Sequence, residues 1–300
     1  MEKLPLGVDI NNLISDLRIL SWEAADILIY YSQMIKDPSY KQKLIQNTNL
    51  DDPVTIADLS VNDLIIQRIN QSYKNVDWDI LSEENVKSGK TNCNQNGDWL
   101  WVFDPLDGTK DFIQGTGNYA MHLALNYKQK PYLGIVLIPE KGELWFATKE
   151  KSWGEKRDGS KIKTQINNFQ NFEDMTLVTS KNHNNDILKT LIDKIPFGDV
   201  VVMGSIGCKI ISLVKGECDI YICLSLQGKS SPKDWDFAAP ESILVSSGGA
   251  ITNLDNENLS YNGPGYEQNG IIIASKNKQN HESICLKLKE IIKQYNLYPF

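Results

Sequence analysis

The stretch Leu100-Trp101-Val102-Phe103-Asp104-Pro105-Leu106-Asp107-Gly108-Thr109 decides how this chain is read. Four consecutive apolar residues predict a buried strand over 100–103 that stops at Asp104-Pro105. Proline bars the preceding residue from helical geometry, so Asp104 is held extended at the strand end. Asp107-Gly108 then makes a tight turn, and Gly108, Thr109 and Lys110 open the next segment. Two carboxylates and the Leu106 carbonyl between them can converge on one side of such a turn, an all-oxygen set suited to a hard divalent cation. The amides of Gly108 and Thr109 can face an anion. The same five letters, DPLDG, also describe an ordinary Asp/Pro/Gly turn. An EF-hand is excluded, because the D-x-D-x-D-G spacing is missing and residue 115, where a bidentate glutamate belongs, is Gly. A phosphoaspartate hydrolase is excluded too, since its two aspartates are separated by one residue and here two intervene.

Outward from this turn, the first half reads as helices followed by a meander. Helical spacing runs from Asp9 to about Ile35 and again over Val54–Ile69, and the polar stretch 88–98 is a loop. Strands are predicted over 119–126, 132–138 and 143–147, giving an antiparallel or mixed sheet. The second half alternates, with strands over 175–179, 200–203, 220–223 and 270–274. Helices are predicted over 185–195, 209–215, 238–247 and 281–295, which implies an α/β layer. A polar segment near 150–175 suggests a boundary, dividing the chain into an α+β part over 1–160 and an α/β part over 161–300. The fold class is α/β.

Composition narrows the function. The 300 residues are 41% hydrophobic and 23% charged, as in a globular protein with a sizeable core. A net charge of −7 argues against a nucleic-acid-coating surface, although an anionic small substrate remains compatible if cations intervene. Five scattered cysteines lack the pairing of a zinc or disulfide framework. The start has no apolar signal region, and no run reaches the roughly 18 apolar residues of a membrane span, so a cytoplasmic protein is expected.

Three more segments each place a carboxylate at the edge of an element: Thr55-Ile56-Ala57-Asp58, Ser82-Glu83-Glu84 and Trp235-Asp236-Phe237-Ala238-Ala239. Singly, each has an ordinary explanation: Asp58 and Asp236 as helix caps, Glu83 as a solvated acid. Taken together with D-P-L-D-G-T at 104–109, their order and spacing resemble the inositol monophosphatase family of lithium-sensitive, Mg²⁺-dependent phosphatases, over roughly residues 15–290. The resemblance implies a layered α-β-α-β-α fold. Within the family, Asp107-Gly108-Thr109-Lys110-Asp111-Phe112, Ser180-Lys181-Asn182-His183, the segment Gly204–Ile210 and Ala239-Pro240-Glu241 look like the 3′(2′),5′-bisphosphate nucleotidase branch.

The resemblance implies Glu83, Asp104, the Leu106 carbonyl, Asp107 and Asp236 as ligands of two or three Mg²⁺ ions. It implies Asp58 and Thr109 as the pair that orients or deprotonates the attacking water, with Glu83 helping to place it. Gly108, Thr109, Lys110, Ser180, His183, Ser205, Lys209 and Asp236 are implied to hold the substrate. Ser205 stands where some relatives carry Gly. The expected reaction removes the 3′-phosphate of adenosine 3′,5′-bisphosphate, by a monomer or homodimer whose partner is that small nucleotide rather than a nucleic acid. An inositol or sugar phosphatase on the same site is the near alternative, and a non-catalytic metal- or nucleotide-binding regulator is the distant one. His183 also fits a surface histidine, Lys209 a solvated helix lysine, and His122, in an apolar strand, a core residue. Trp99, Trp101, Trp145 and Trp153 read as core or rim.

Overall fold

A computed structural model of the chain describes residues 4–47, 53–90, 97–164, 171–181, 186–226 and 231–297. The chain begins with α1 (Ile10–Met34), capped by the Asp9 carboxylate, which accepts from the Asn11 and Asn12 amides. Then come α2 (Pro38–Leu44), the short pair β1 (Ile45–Asn47) and β2 (Val54–Thr55), and α3 (Ile56–Ser72). β3 (Asp79–Ser82), α4 (Glu83–Lys87), β4 (Trp99–Asp107) and α5 (Thr109–Gln114) follow. The meander is β5 (Ala120–Tyr127), β6 (Lys130–Ile138), β7 (Glu143–Thr148), β8 (Ser152–Lys156) and β9 (Lys161–Ile162). The second half holds β10 (Thr176–Ser180), α6 (Asp186–Asp193), β11 (Asp199–Met203), α7 (Ile206–Lys215), β12 (Ile220–Ser225) and α8 (Asp234–Ser246). β13 (Ala250–Asn253), β14 (Gly270–Ser275) and α9 (Lys278–Tyr295) close the chain.

The seven-stranded sheet runs β3 to β9 in sequence order, antiparallel except for the parallel β3–β4 pair. The five-stranded sheet has the order β11-β10-β12-β14-β13, parallel through its first three strands and antiparallel after them. Side chains alternate across β4. Trp99, Trp101 and Phe103 join a buried cluster with Leu13, Leu17 and Leu20 of α1 and Val61 and Ile65 of α3. Leu100 and Val102 face the other way, into a cluster with Ile210 and Leu213 of α7, Phe237 and Ile243 of α8, and Val178, Tyr221 and Ala274 of the second sheet. A third cluster packs Leu188 and Leu191 of α6 and Ile284 and Leu288 of α9 against Leu177, Ile220 and Ile273. The layers are therefore helix, sheet, helix, sheet, helix, with α7 and α8 sealed in the middle.

The structure departs from the sequence reading in several places. β4 does not stop at Asp104-Pro105 but continues to Asp107. Pro105 is tolerated because the register shifts there: Asp104 pairs with His122 and Asp107 with Ala120, so three steps on β4 match two on β5. The polar segment after 150 contains β8 and β9, and β13 was not anticipated. These edge or near-edge strands carry too little apolar alternation to announce themselves. α8 starts at Asp234, not 238, so Asp236 is the third residue of its first turn and caps the helix from inside rather than from the position before it.

Candidate active site

The bulge in β4 is what makes a site. Residues three apart on a regular strand point to opposite faces; the one extra residue brings Asp104 and Asp107 onto the same face. Both are buried. Asp236 meets them from the first turn of α8, where its carboxylate also caps the helix by accepting from the Lys233 amide at 2.6 Å. Carboxylate oxygens of Asp104, Asp107 and Asp236 all lie within 4.8 Å of one another, and together they could hold a metal ion. Burial, with the charges of Glu83, Asp107 and Asp236, pushes the Asp104 carboxyl well above its ordinary range. Burial does the same to Asp236, helped by Asp107 and Glu83. Burial also works to raise Asp107, but the His122 ring, the Lys209 ammonium and the Ser205 hydroxyl outweigh it and hold that carboxyl down at about 2. Three carboxylates crowded in this way form an all-oxygen set that suits a hard divalent cation, so the donor set fits Mg²⁺.

Glu83 opens α4 directly after β3 and lines the same cavity, outside the tight cluster, with its carboxylate 2.8 Å from the Lys87 ammonium. Leu106 lines the cavity too, and its carbonyl oxygen lies 3.0 Å from the Thr109 hydroxyl oxygen. The Thr109 hydroxyl also lies 3.2 Å from Asp58 Oδ1. Asp58 sits in the first turn of α3 as half of a capping box, accepting from the Thr55 amide at 2.8 Å and the Thr55 hydroxyl at 2.5 Å. Burial raises the Asp58 carboxyl from 3.8 to about 7, against the pull of the Thr55 hydrogen bonds. The two ordinary-looking caps are thus caps and more: the geometry that satisfies a helix N-terminus also aims a carboxylate inward.

Gly108 turns the chain from β4 into α5 at φ +88°, and a Cβ there would come within 2.9 Å of the Asn118 carbonyl oxygen. The cavity, about 330 Å³, is lined by this acidic floor and by a wall carrying Lys87, Lys110, Lys181, Lys209, Lys233 and Ser180. Lys209 is not a solvated helix lysine: it is 3% exposed, its Nζ reaches the Met203 carbonyl at 3.4 Å and lies 5.5 Å from the centre of the Tyr221 ring. Burial lowers its pKa, against the opposing charge of Asp107. Ser205 lines the cavity, but its hydroxyl donates to Asp107 Oδ2 at 2.6 Å and accepts from the Cys208 amide at 3.1 Å. It supports a carboxylate and caps α7. His183 lies outside the described residues.

Sequence reading missed four contributors. Lys87 follows Glu83 by one helical turn, a spacing that could have flagged it. Lys181 lies within the quoted Ser180–His183 segment and Lys233 two residues before the Trp235 segment, and neither is assigned a role from sequence. His122 is a core residue as expected, yet its Nε2 stands 3.2 Å from Asp107 Oδ2. Its place on the strand paired with β4 was the signal. The described cysteines, Cys208, Cys218, Cys223 and Cys285, are free, and no described helix is long and apolar enough to cross a membrane.

The model of the inositol monophosphatase family matches residues 18–293. The chain belongs to that family. It is similar to the 3′(2′),5′-bisphosphate nucleotidase CysQ of Aggregatibacter actinomycetemcomitans, 30% identical over 70% of this chain and 75% of that one. The CysQ of Buchnera aphidicola is also 30% identical, over 78% of this chain and 80% of its own. Among solved structures, the inositol monophosphatase of Thermotoga maritima superposes with a TM-score of 0.72 at 20% identity, covering 95% of this chain and 99% of that one. This inositol monophosphatase family member is accordingly a phosphatase, with the layered fold of its structural neighbours.

Proposed function

We propose that the chain is a Mg²⁺-dependent phosphomonoesterase that removes the 3′-phosphate of adenosine 3′,5′-bisphosphate, giving AMP and inorganic phosphate. The observation that carries this reading is the juxtaposition, in one cavity, of a three-carboxylate floor with the buried ammonium of Lys209. The carboxylates suit a phosphoryl group with its cations, and the ammonium suits a second phosphate on the same small molecule. The CysQ relatives agree with that choice of substrate.

Asp104, Asp107 and Asp236 would hold Mg²⁺, with Glu83 and the Leu106 carbonyl completing the oxygen set. Bound there, Mg²⁺ supplies the positive charge that lets a phosphate dianion approach five carboxylates and that makes water acidic at neutral pH. Thr109 and Asp58 then handle the proton: the Thr109 hydroxyl accepts from the incoming water while donating its own hydrogen across 3.2 Å to Asp58. A carboxyl near pH 7 is matched to that task. Gly108 and Thr109 offer amides to the equatorial phosphoryl oxygens, and Lys110, Ser180, Ser205 and Lys209 line the path of the remainder.

The test is phosphate release by the purified protein with Mg²⁺ from adenosine 3′,5′-bisphosphate and from inositol 1-phosphate. The nucleotide should be the better substrate, and Lys209→Ala should raise its KM about tenfold or more while changing that for inositol 1-phosphate little, as loss of one buried charge contact requires. Turnover of inositol 1-phosphate alone, insensitive to Lys209→Ala, would refute the nucleotide assignment. No turnover of either would refute the phosphomonoesterase reading.

A further inference from the structure

The geometry points to His122 as a positioning residue of the metal centre, holding the Asp107 carboxylate and the first turn of α8 in register. The inference rests on the reading of Asp107 and Asp236 as metal ligands. His122 is fully buried in β5, on the face that β4 uses for its two aspartates. Its two nitrogens reach in different directions. Nε2 lies 3.2 Å from Asp107 Oδ2, and Nδ1 lies 3.3 Å from the carbonyl of Trp235, the residue before Asp236. One ring thus lies between the strand that carries one ligand and the helix that carries another, and in either neutral tautomer it donates to one of these two acceptors.

The surroundings are built around that ring. Asp107 Oδ2 accepts from the Ser205 hydroxyl at 2.6 Å and the Gly207 amide at 3.0 Å, so two donors and the facing ring nitrogen converge on one oxygen. Residue 207 has no side chain where the ring needs room: a Cβ there would stand 2.2 Å from His122 Nε2. Across the strands His122 pairs with Asp104 on β4 and with the apolar Val136 on β6. A carboxylate ligand clamped on its outer oxygen presents the other to a cation without first having to be ordered, and loss of such support typically weakens metal affinity about 10- to 100-fold.

Mn²⁺ serves as the probe, its free concentration read by electron paramagnetic resonance, alongside Mg²⁺-driven turnover and a thermal melt of each variant. His122→Leu should weaken Mn²⁺ binding about tenfold or more, and His122→Gln, whose amide nitrogen reaches towards the position of Nε2, should restore it to within about threefold of the parent. His122→Asn keeps a polar atom near Nδ1 but cannot reach Asp107, and should bind Mn²⁺ as weakly as the leucine variant. The Asn–Gln comparison carries the test should the leucine variant not fold. Equal Mn²⁺ affinity in the parent, Asn and Gln proteins would overturn the role of His122 while leaving the metal site intact. A parent protein that binds no Mn²⁺ would overturn the metal reading itself, and this inference with it.

Discussion

Replacing Asp58 by Asn should make the protein slower and more stable at once. The substitution is nearly isosteric, and the amide oxygen can still accept from the Thr55 amide and hydroxyl, so the α3 cap survives. What changes is the other side: an NH₂ faces Thr109 Oγ1, where the carboxylate had accepted across 3.2 Å. Thr109 loses the group that takes its hydrogen. General-base assistance is worth about 10² to 10⁴ in rate, so kcat should fall by that factor, or about 3–5 kcal/mol of barrier. Stability moves in the opposite direction. A carboxyl raised from 3.8 to about 7 by burial binds its proton more tightly folded than unfolded, so its contribution disfavours the fold as pH rises through that window. At pH 8 the full cost is reached, on the order of 4 kcal/mol, and Asn does not incur it. Urea unfolding at pH 8 in EDTA, with steady-state phosphate release in Mg²⁺, measures both. The reasoning fails if the Asn variant keeps more than about a tenth of kcat, or if it is no more stable than the parent at pH 8.

Mg²⁺ should raise the melting temperature of the metal-free protein, because it binds only the folded carboxylate cluster. At a hundredfold excess over Kd the gain is about 2.7 kcal/mol, several degrees, and Asp107→Asn should abolish the shift in a fluorescence melt. Gly108→Ala forces a side chain into φ +88° and against the Asn118 carbonyl, so it should cost about 1–3 kcal/mol in urea unfolding and displace Thr109 enough to lower kcat. His281 hydrogen-bonds Ser275 Oγ and Thr252 Oγ1, each at 2.8 Å, and burial lowers its pKa from 6.5 to about 4. Its neutral form therefore supports the fold above pH 6.5, and that support is lost as pH falls from 6.5 to 4. The loss is about 3 kcal/mol, seen as a parent stability slope that His281→Asn flattens.

Much of the fold was legible because strongly apolar strands and long amphipathic helices announce their period. α1 and the β4–β7 meander fall where spacing placed them. Most motif carboxylates lie at element edges, Asp58, Glu83 and Asp236 in the first turn of a helix and Asp107 at the end of β4, whereas Asp104 lies inside that strand. The bulge was not legible: nothing in WVFDPLD distinguishes a strand that stops at Pro105 from one that absorbs it with an extra residue, and pairing with β5 decides the matter. For the same reason the sequence does not show that the Ser205 hydroxyl, besides lining the cavity, donates to Asp107. Which way a short side chain turns depends on a residue 98 positions away in sequence, and spacing carries no such information.

The middle layer has a consequence for how the protein comes into being. Asp104 and Asp107 lie on one strand, but the third carboxylate arrives on α8, a helix synthesised more than a hundred residues later and packed between two sheets. A nascent chain that has finished its first sheet still lacks the element that closes the cation cage. On the proposed reading of these carboxylates, affinity for the ion would depend on α8 reaching the first sheet. A chain ended near residue 160 retains two of the three acids and no cage.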